Sequence, residues 1–340
     1  MFFIFIILIF EKTCYSEQIK VIKISDSIKY PWGMSLVNKK NVILTSKSGG
    51  IFLVNLDEFK TQKIYQVEDS FDYNQGGLLD IIFIKDKLSE YIFVCYNNFS
   101  RDLVIARFNI NKEKLSNKKL IFNSNFKNKN GRHFGCRLTH YKNTLLASLG
   151  DRGKRENSQN PKNYPGSIVQ ITFDGKKVGK NRDGWLEGIF SIGHRNPQGL
   201  IYIKNFDEIW SHEHGPKGGD EINIINKGLN FGWPVVTYGK EYWGGKIGKG
   251  VPKKGMTEPI WKWIPSIAPS GMDFYKNNYF KFLNNTLLVG SLKFKSLFAI
   301  NIANKKPRSE FIVFKNKIGR IRDVLVHPRG YILLLNDEYD

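Results

Sequence analysis

Residues 271–300 read GMDFYKNNYFKFLNNTLLVGSLKFKSLFAI. A turn-rich opening gives way to an apolar run at 287–289, a polar turn, and a second apolar run at 297–300. Short runs rich in Ile, Val, Phe and Tyr, closed by Gly, Asn, Asp or Lys, are strand signals. The same unit begins again near Trp32, Gly77, Gly135, Pro197 and Arg322. No window carries a sustained helical apolar stripe. Many short strands without helices point to a sandwich, barrel or propeller, and a unit recurring at this spacing favours the propeller. No linker divides the chain, and residues 109–129 and 238–257 read as long excursions between strands. Because an open sheet edge is a liability, the stop soon after Asn336 has two readings. Either the last sheet lacks a strand, or residues 19–24 help to close it.

The 340 residues carry 52 Lys and Arg against 31 Asp and Glu, a net charge of +21. These charges are scattered rather than run together. They read as a solvated surface and not as a nucleic-acid or membrane-binding patch. Residues 2–10 are uninterrupted apolar, too few for a membrane span but suited to the core of a signal peptide. Cys14, Tyr15 and Ser16 follow at the spacing of a cleavage site, although no positive segment precedes the run. The expected division is a leader over 1–16 and one domain over 17–340, giving a periplasmic or secreted protein without stable membrane insertion. Cys95 and Cys136 lie in apolar, strand-like surroundings and read as small buried residues. No CxxC pair is present.

The densest polar stretch runs from Gly193 to Trp233. It contains GHRNPQGL, an apolar run, and SHEHGPKGGDEINIINKGLNFGWP. Varied hydrogen-bonding groups set between Gly and Pro bends mark a loop site on a rigid scaffold. His212 and His214 alternate, which puts them on one face of a strand, but no third zinc ligand stands at a suitable spacing. Other distinctive segments are NQGGLLD at 74–80, GRHFGCRL at 131–138, LGDRG at 149–153, GSLK at 290–293 and GRIRDV at 319–324.

Together and in this order, these motifs resemble the soluble pyrroloquinoline quinone (PQQ)-dependent sugar dehydrogenases, in particular the aldose (glucose/sorbosone) branch. The resemblance runs from about Trp32 to Asp337 and implies a six-bladed β-propeller. It makes His133 the general base for a sugar hydroxyl, a task suited to an imidazole near neutral pH, with Asp151 as its orienting partner. Arg195 and Asn196 would contact the cofactor. Lys293, Arg320 and Arg322 would answer its three carboxylates, with Asn336 as a further hydrogen-bonding group. Arg322 is expected to have no acidic partner of its own before the cofactor binds. Gln75 matches a sugar-side glutamine. Gly215 and Pro216 match positions whose carbonyls hold a calcium ion, a cation that takes hard oxygen ligands. Glu221 reads either as a ligand of a second calcium or as a strand-end carboxylate. Trp32 and Trp233 read as blade anchors and His194 as a packing residue. Two positions depart from the pattern. Arg132 stands where the glucose-specific branch has Asp, and Cys136 replaces a glycine.

The function this implies is oxidation of an aldose at C1 to its lactone, with hydride passing to calcium-bound PQQ and then to an unidentified electron acceptor. The partner is thus a small-molecule sugar. The alternative is a propeller of the same family that binds carbohydrate or protein without catalysis. A calcium-dependent lactonase would need a cage of carboxylates that the Gly-rich turns do not supply.

Overall fold

The apolar runs become strands, and consecutive strands pair antiparallel with their neighbours. The computed structural model describes residues 5–13, 16–25, 27–86, 89–126, 130–178, 183–249 and 253–337. Five four-stranded sheets follow one another along the chain, over 31–66, 78–123, 135–192, 197–263 and 269–315. A sixth combines Ile321–Val326 and Ile332–Asn336 with Phe5–Thr13 and Ser16–Ser25. The first strands of all these sheets touch in cyclic order, Pro31–Leu36 against Leu78–Lys85 and so on until Ile321–Val326 returns to Pro31–Leu36. An all-β chain of sheets ranged round one axis is a propeller, which confirms the fold class read from the repeat.

Three carboxylates tie neighbouring sheets together near the axis. Asp80 accepts from the Leu138 amide at 2.7 Å, Asp273 from Val326 at 2.7 Å and Asp323 from Met34 at 2.9 Å. Each comes from the first strand of one sheet and satisfies an amide on the first strand of the next. These contacts answer backbone groups that the sheets' own ladders leave over. Apolar side chains fill the wedges between sheets. Between the second and third these include Phe93, Leu103, Ile105, Leu145 and Val169, all shielded from solvent.

The structure corrects two readings and decides a third between its alternatives. Cys95 and Cys136 are not merely small buried residues. They form a disulfide joining the strand Glu90–Asn97 to Gly135–Tyr141, and so the second sheet to the third. Residues 109–129 are not only an excursion, since Lys114–Asn123 is the outer strand of the second sheet. Among the described residues this strand pairs only with Leu103–Asn111, and its Lys-rich segment 116–120 is exposed. Closure of the last sheet rests on two N-terminal strands. Phe5–Thr13 lies next to Ile332–Asn336, with Phe5 to Leu8 paired to Leu335 to Ile332, and Ser16–Ser25 lies outside it. Cys14 lies outside the described residues.

Candidate active site at the mouth of the propeller

His133 stands on the turn leading into Gly135–Tyr141, with a left-handed backbone of φ 51°. Its surroundings hold that conformation. The amide donates to Gln75 Oε1 at 2.8 Å, and the carbonyl accepts from the Arg152 amide at 3.3 Å. The chain at Gly150 passes so close that an added Cβ would lie 2.2 Å from the His133 carbonyl oxygen. Glycine is required there by this close approach.

The imidazole Nδ1 lies 2.6 Å from Asp151 Oδ1. Asp151 is only 1% exposed. It also accepts from the Gly153 amide at 2.7 Å and, on Oδ2, from the Trp233 indole at 2.8 Å. A carboxylate fixed by these donors selects the tautomer in which Nδ1 carries the proton and Nε2 offers a lone pair. Trp233 is therefore more than a blade anchor, because its indole holds the carboxylate that orients the His133 imidazole.

Arg195 joins this group from the fourth sheet's entry loop. Its amide donates to Glu213, and its carbonyl accepts from the Asp151 amide at 2.8 Å. Nη1 donates to the carbonyls of His214 at 3.0 Å and Gly215 at 2.9 Å, and the guanidinium sits 5.3 Å from the Trp233 ring centre. His194 is fully buried. It bridges Ser191 and Glu213 and stacks on Phe231, as its reading as a packing residue implied. Asn196 Oδ1 accepts from the Gly135 amide at 3.3 Å.

A cavity of about 230 Å³ opens beside His133, at Gln75, Phe134 and Gly135. Asn196, Arg320 and Arg322 complete much of its wall. The sequence reading thus brings Gln75, Asn196, Arg320 and Arg322 together around the neighbours of His133. Lys293 does not share this cavity. It is exposed and lines an adjoining cleft with His214, Gly215 and Pro216. Asn336 is also turned away, being buried with Nδ2 donating to the Ile318 carbonyl.

The expectation that Arg322 lacks an acidic partner is overturned. Its Nε donates to Asp337 at 2.6 Å and its Nη2 meets the same carboxylate, while Arg320 Nε lies 3.1 Å from Asp337 Oδ1. Asp337 is 2% exposed, so the two arginines neutralise a carboxylate that burial would otherwise penalise.

Arg137 was missed, although its motif was noticed. Its Nη1 lies 3.2 Å from Asp80 and 2.9 Å from Asp323, its Nε donates to the Gln198 carbonyl at 2.7 Å, and its guanidinium sits 4.3 Å from the Trp32 ring centre. It ties the first strands of the second, third and sixth sheets together and packs against Trp32. Trp32 lines the cavity and is more than an anchor. Lys47, also unnoticed, lines the same cavity.

Glu221 sits near Glu213, Glu258 and Asp220. Burial pushes its carboxyl well above the usual range, and the charge of Glu213 adds to the shift. Gly215 donates its amide to Asp220 at 2.8 Å. Among the described residues, no three His, Cys, Asp or Glu side chains converge as a metal cage. The zinc reading gains no third ligand. Burial holds both His212 and His214 below the ordinary imidazole range, and His214 Nε2 is paired with the Pro269 carbonyl at 2.7 Å.

Residues 28–340 match the family described as Glucose / Sorbosone dehydrogenase. The chain belongs to the glucose/sorbosone dehydrogenase family. It is 31% identical over 330 residues to the aldose sugar dehydrogenase YliI of Escherichia coli, covering 93% of this chain and 89% of that protein. The crystal structure of the soluble aldose sugar dehydrogenase from Escherichia coli, in its apo form, superposes with a TM-score of 0.83 at 29% identity, covering 92% of this chain and 94% of that one. A PQQ-bound aldose sugar dehydrogenase from Streptomyces coelicolor shares the fold, with a TM-score of 0.75 at 22% identity and coverage of 91% and 95%. The family is one of oxidoreductases, and the matched span includes both the His133–Asp151 pair and the cationic wall.

Proposed function

We propose that this chain is a calcium- and PQQ-dependent aldose dehydrogenase that converts a sugar to its lactone outside the cytoplasm. The observation that carries this reading is the Asp151-held imidazole of His133 beside a cavity whose charged wall residues are all cations. Taking each four-stranded sheet as a blade, the scaffold is a six-bladed propeller.

The residues present fit the cofactor. A triply acidic, planar molecule suits a cavity walled by Arg320, Arg322, amides and the rings of Trp32 and Phe134. Arg195 and Asn196 would hold its other side, with Lys293 reaching from the adjoining cleft. PQQ, when bound, supplies the two-electron sink that accepts hydride from sugar C1. This chain's residues do the rest. Gln75 offers its amide to a sugar hydroxyl and, through the His133 backbone, sets the height of the imidazole. His133 Nε2 takes the C1 hydroxyl proton, and Asp151 stabilises the imidazolium that results.

A calcium ion also suits the oxygens here. Gly215 already accepts from Arg195, so an ion there would use that carbonyl's second lone pair. At Glu221, burial is the main cause of the raised carboxyl, and the nearby charges of Glu213, Glu258 and Asp220 are ones that a divalent cation would offset. Glu258 Oε1, buried without a hydrogen-bond partner, adds an oxygen that an ion would satisfy.

Export rests on the apolar run at 2–10 and on the Cys95–Cys136 disulfide, a bond that persists in oxidising compartments. Loss of a leader ending at Ser16 would bare the edge of Ile332–Asn336, and residues 17–25 are the segment available to pair there. Mass analysis of exported protein should find Glu17 first; a retained Met1 would refute the leader. The activity is tested with a dye-linked assay over a panel of aldoses, after reconstitution with PQQ and calcium. Turnover with bleaching of the bound quinone is expected. Failure to bind PQQ by titration calorimetry would end the enzyme reading and leave the binding-module one.

A further inference from the structure

The charges around the cavity are unequal in kind. Arg320 and Arg322 share a buried carboxylate, Asp337, that reaches them away from the cavity wall. Lys47 has a different balance. Its side chain is 17% exposed, and its carboxylate partner, Asp72 at 3.3 Å, is 40% exposed. Water competes for such a carboxylate, and a pair of this type contributes little. Asp72 does not line the cavity, and neither does any other described acid.

Lys47 is also held in place. Its amide donates to the Tyr30 carbonyl at 2.9 Å, and its own carbonyl accepts from Leu78 at 3.0 Å. The ammonium donates to the Asn74 carbonyl at 3.0 Å. The next residue is Gln75, whose side chain holds the His133 amide. Lys47 is therefore tied to the side of the cavity that carries the base, while Arg320 comes just ahead of the strand Ile321–Val326 and Arg322 lies at its start. Arg132, immediately before His133, adds a further positive charge to the turn that carries His133.

We propose that Lys47 selects aldoses that carry an acidic group away from C1, the carboxylate of a uronic acid or the phosphate of a sugar ester. The proposal rests on the aldose-oxidising reading above and names its substrate class. A sugar's acid entering the cavity would displace the solvated Asp72 from the ammonium. It would gain a charge-assisted bond in a less hydrated place. A neutral aldose offers no such exchange.

The test compares the wild-type holoprotein with Lys47→Gln and Lys47→Glu on three sugars of one stereochemistry: glucose, glucuronate and glucose 6-phosphate. The readout is the ratio of kcat/KM for each acidic sugar to that for glucose, at low and high salt. The wild type should favour at least one acidic sugar by about tenfold at low salt, a preference worth one charge-assisted contact. Lys47→Gln should erase that preference and Lys47→Glu should invert it. Whichever acid responds identifies the group recognised. An unchanged ratio in both variants overturns the proposal. So does a loss of PQQ affinity with no change in ratio, which would give Lys47 to the cofactor. A second readout does not need turnover. Binding of glucuronate and glucose 6-phosphate to the apoprotein, followed by tryptophan fluorescence, should weaken in Lys47→Gln. If no sugar is oxidised, the enzyme reading fails, and this binding measurement still decides for or against Lys47.

Discussion

The two sides of the mouth are built by opposite strategies. On one side, His133, Asp151, Trp233 and Arg195 form a chain in which each member is held by the next. Asp151 is held by the Gly153 amide and the Trp233 indole, so the His133 imidazole is oriented in the protein alone. On the other side, Arg320 and Arg322 are cations balanced against Asp337. That side stores charge. The difference separates two demands. General-base chemistry needs a preset geometry, whereas an acidic ligand needs a positive surface whose existing partners can yield or share.

The largest expected effect falls on the first side. His133→Gln should cut turnover by about a hundredfold to ten-thousandfold, the range of general-base loss, with PQQ affinity retained. Steady-state rates beside a quinone titration measure both, and near-normal turnover would remove His133 from the mechanism.

Arg322→Ala attacks the second side. Because Asp337 stays buried with only the more exposed Arg320, the apoprotein should lose about 2–3 kcal/mol of stability. PQQ binding should weaken at the same time. Denaturant unfolding of the apoprotein checks the first part. An unchanged unfolding midpoint would mean that the Asp337 pairs contribute nothing measurable.

The disulfide tests whether the oriented side depends on its scaffold. Cys95→Ser with Cys136→Ser opens a link between residues 41 apart in sequence and should cost about 2–4 kcal/mol. Cys136 lies three residues after His133, so turnover per folded molecule should fall as well. Thermal melts with and without reductant, followed by assay of the soluble fraction, separate the two effects.

The smallest effect lies on the axis, away from both sides. Loss of hydration pushes the Asp273 carboxyl up to about 6, against the opposing pull of the Val326 and Phe274 amides. A folded-state value above the unfolded one means that the folded protein binds this proton more tightly. Its contribution to stability is full below the unfolded value near 4 and is lost as pH rises toward 6. The loss should be about 1 kcal/mol after allowance for solvent. Asp273→Asn keeps an acceptor for Val326 and should flatten that part of the stability–pH curve; an unaltered slope would assign it to other groups.

The propeller was legible because strand periodicity and turn residues are local, and because the unit repeats. The site motifs were legible too, since His133, Arg195 and Gln75 sit in short segments whose order could be recognised. Other features depended on which segments meet across the ring. Trp233 is 82 residues from Asp151, yet donates to it. Lys47 stands alone among ordinary surface lysines in the sequence, and only the close approach of its turn to the Asn74–Gln75 segment puts it on the cavity wall. Cys95 and Cys136 show no spacing signal because adjacent sheets, not adjacent residues, bring them together. The amino-acid order by itself determined the strands, the repeat and the residue types of the candidate site. Tertiary structure alone decided the partners of each charge, because ring closure brings residues far apart in the chain within hydrogen-bonding distance and withdraws some of them from water.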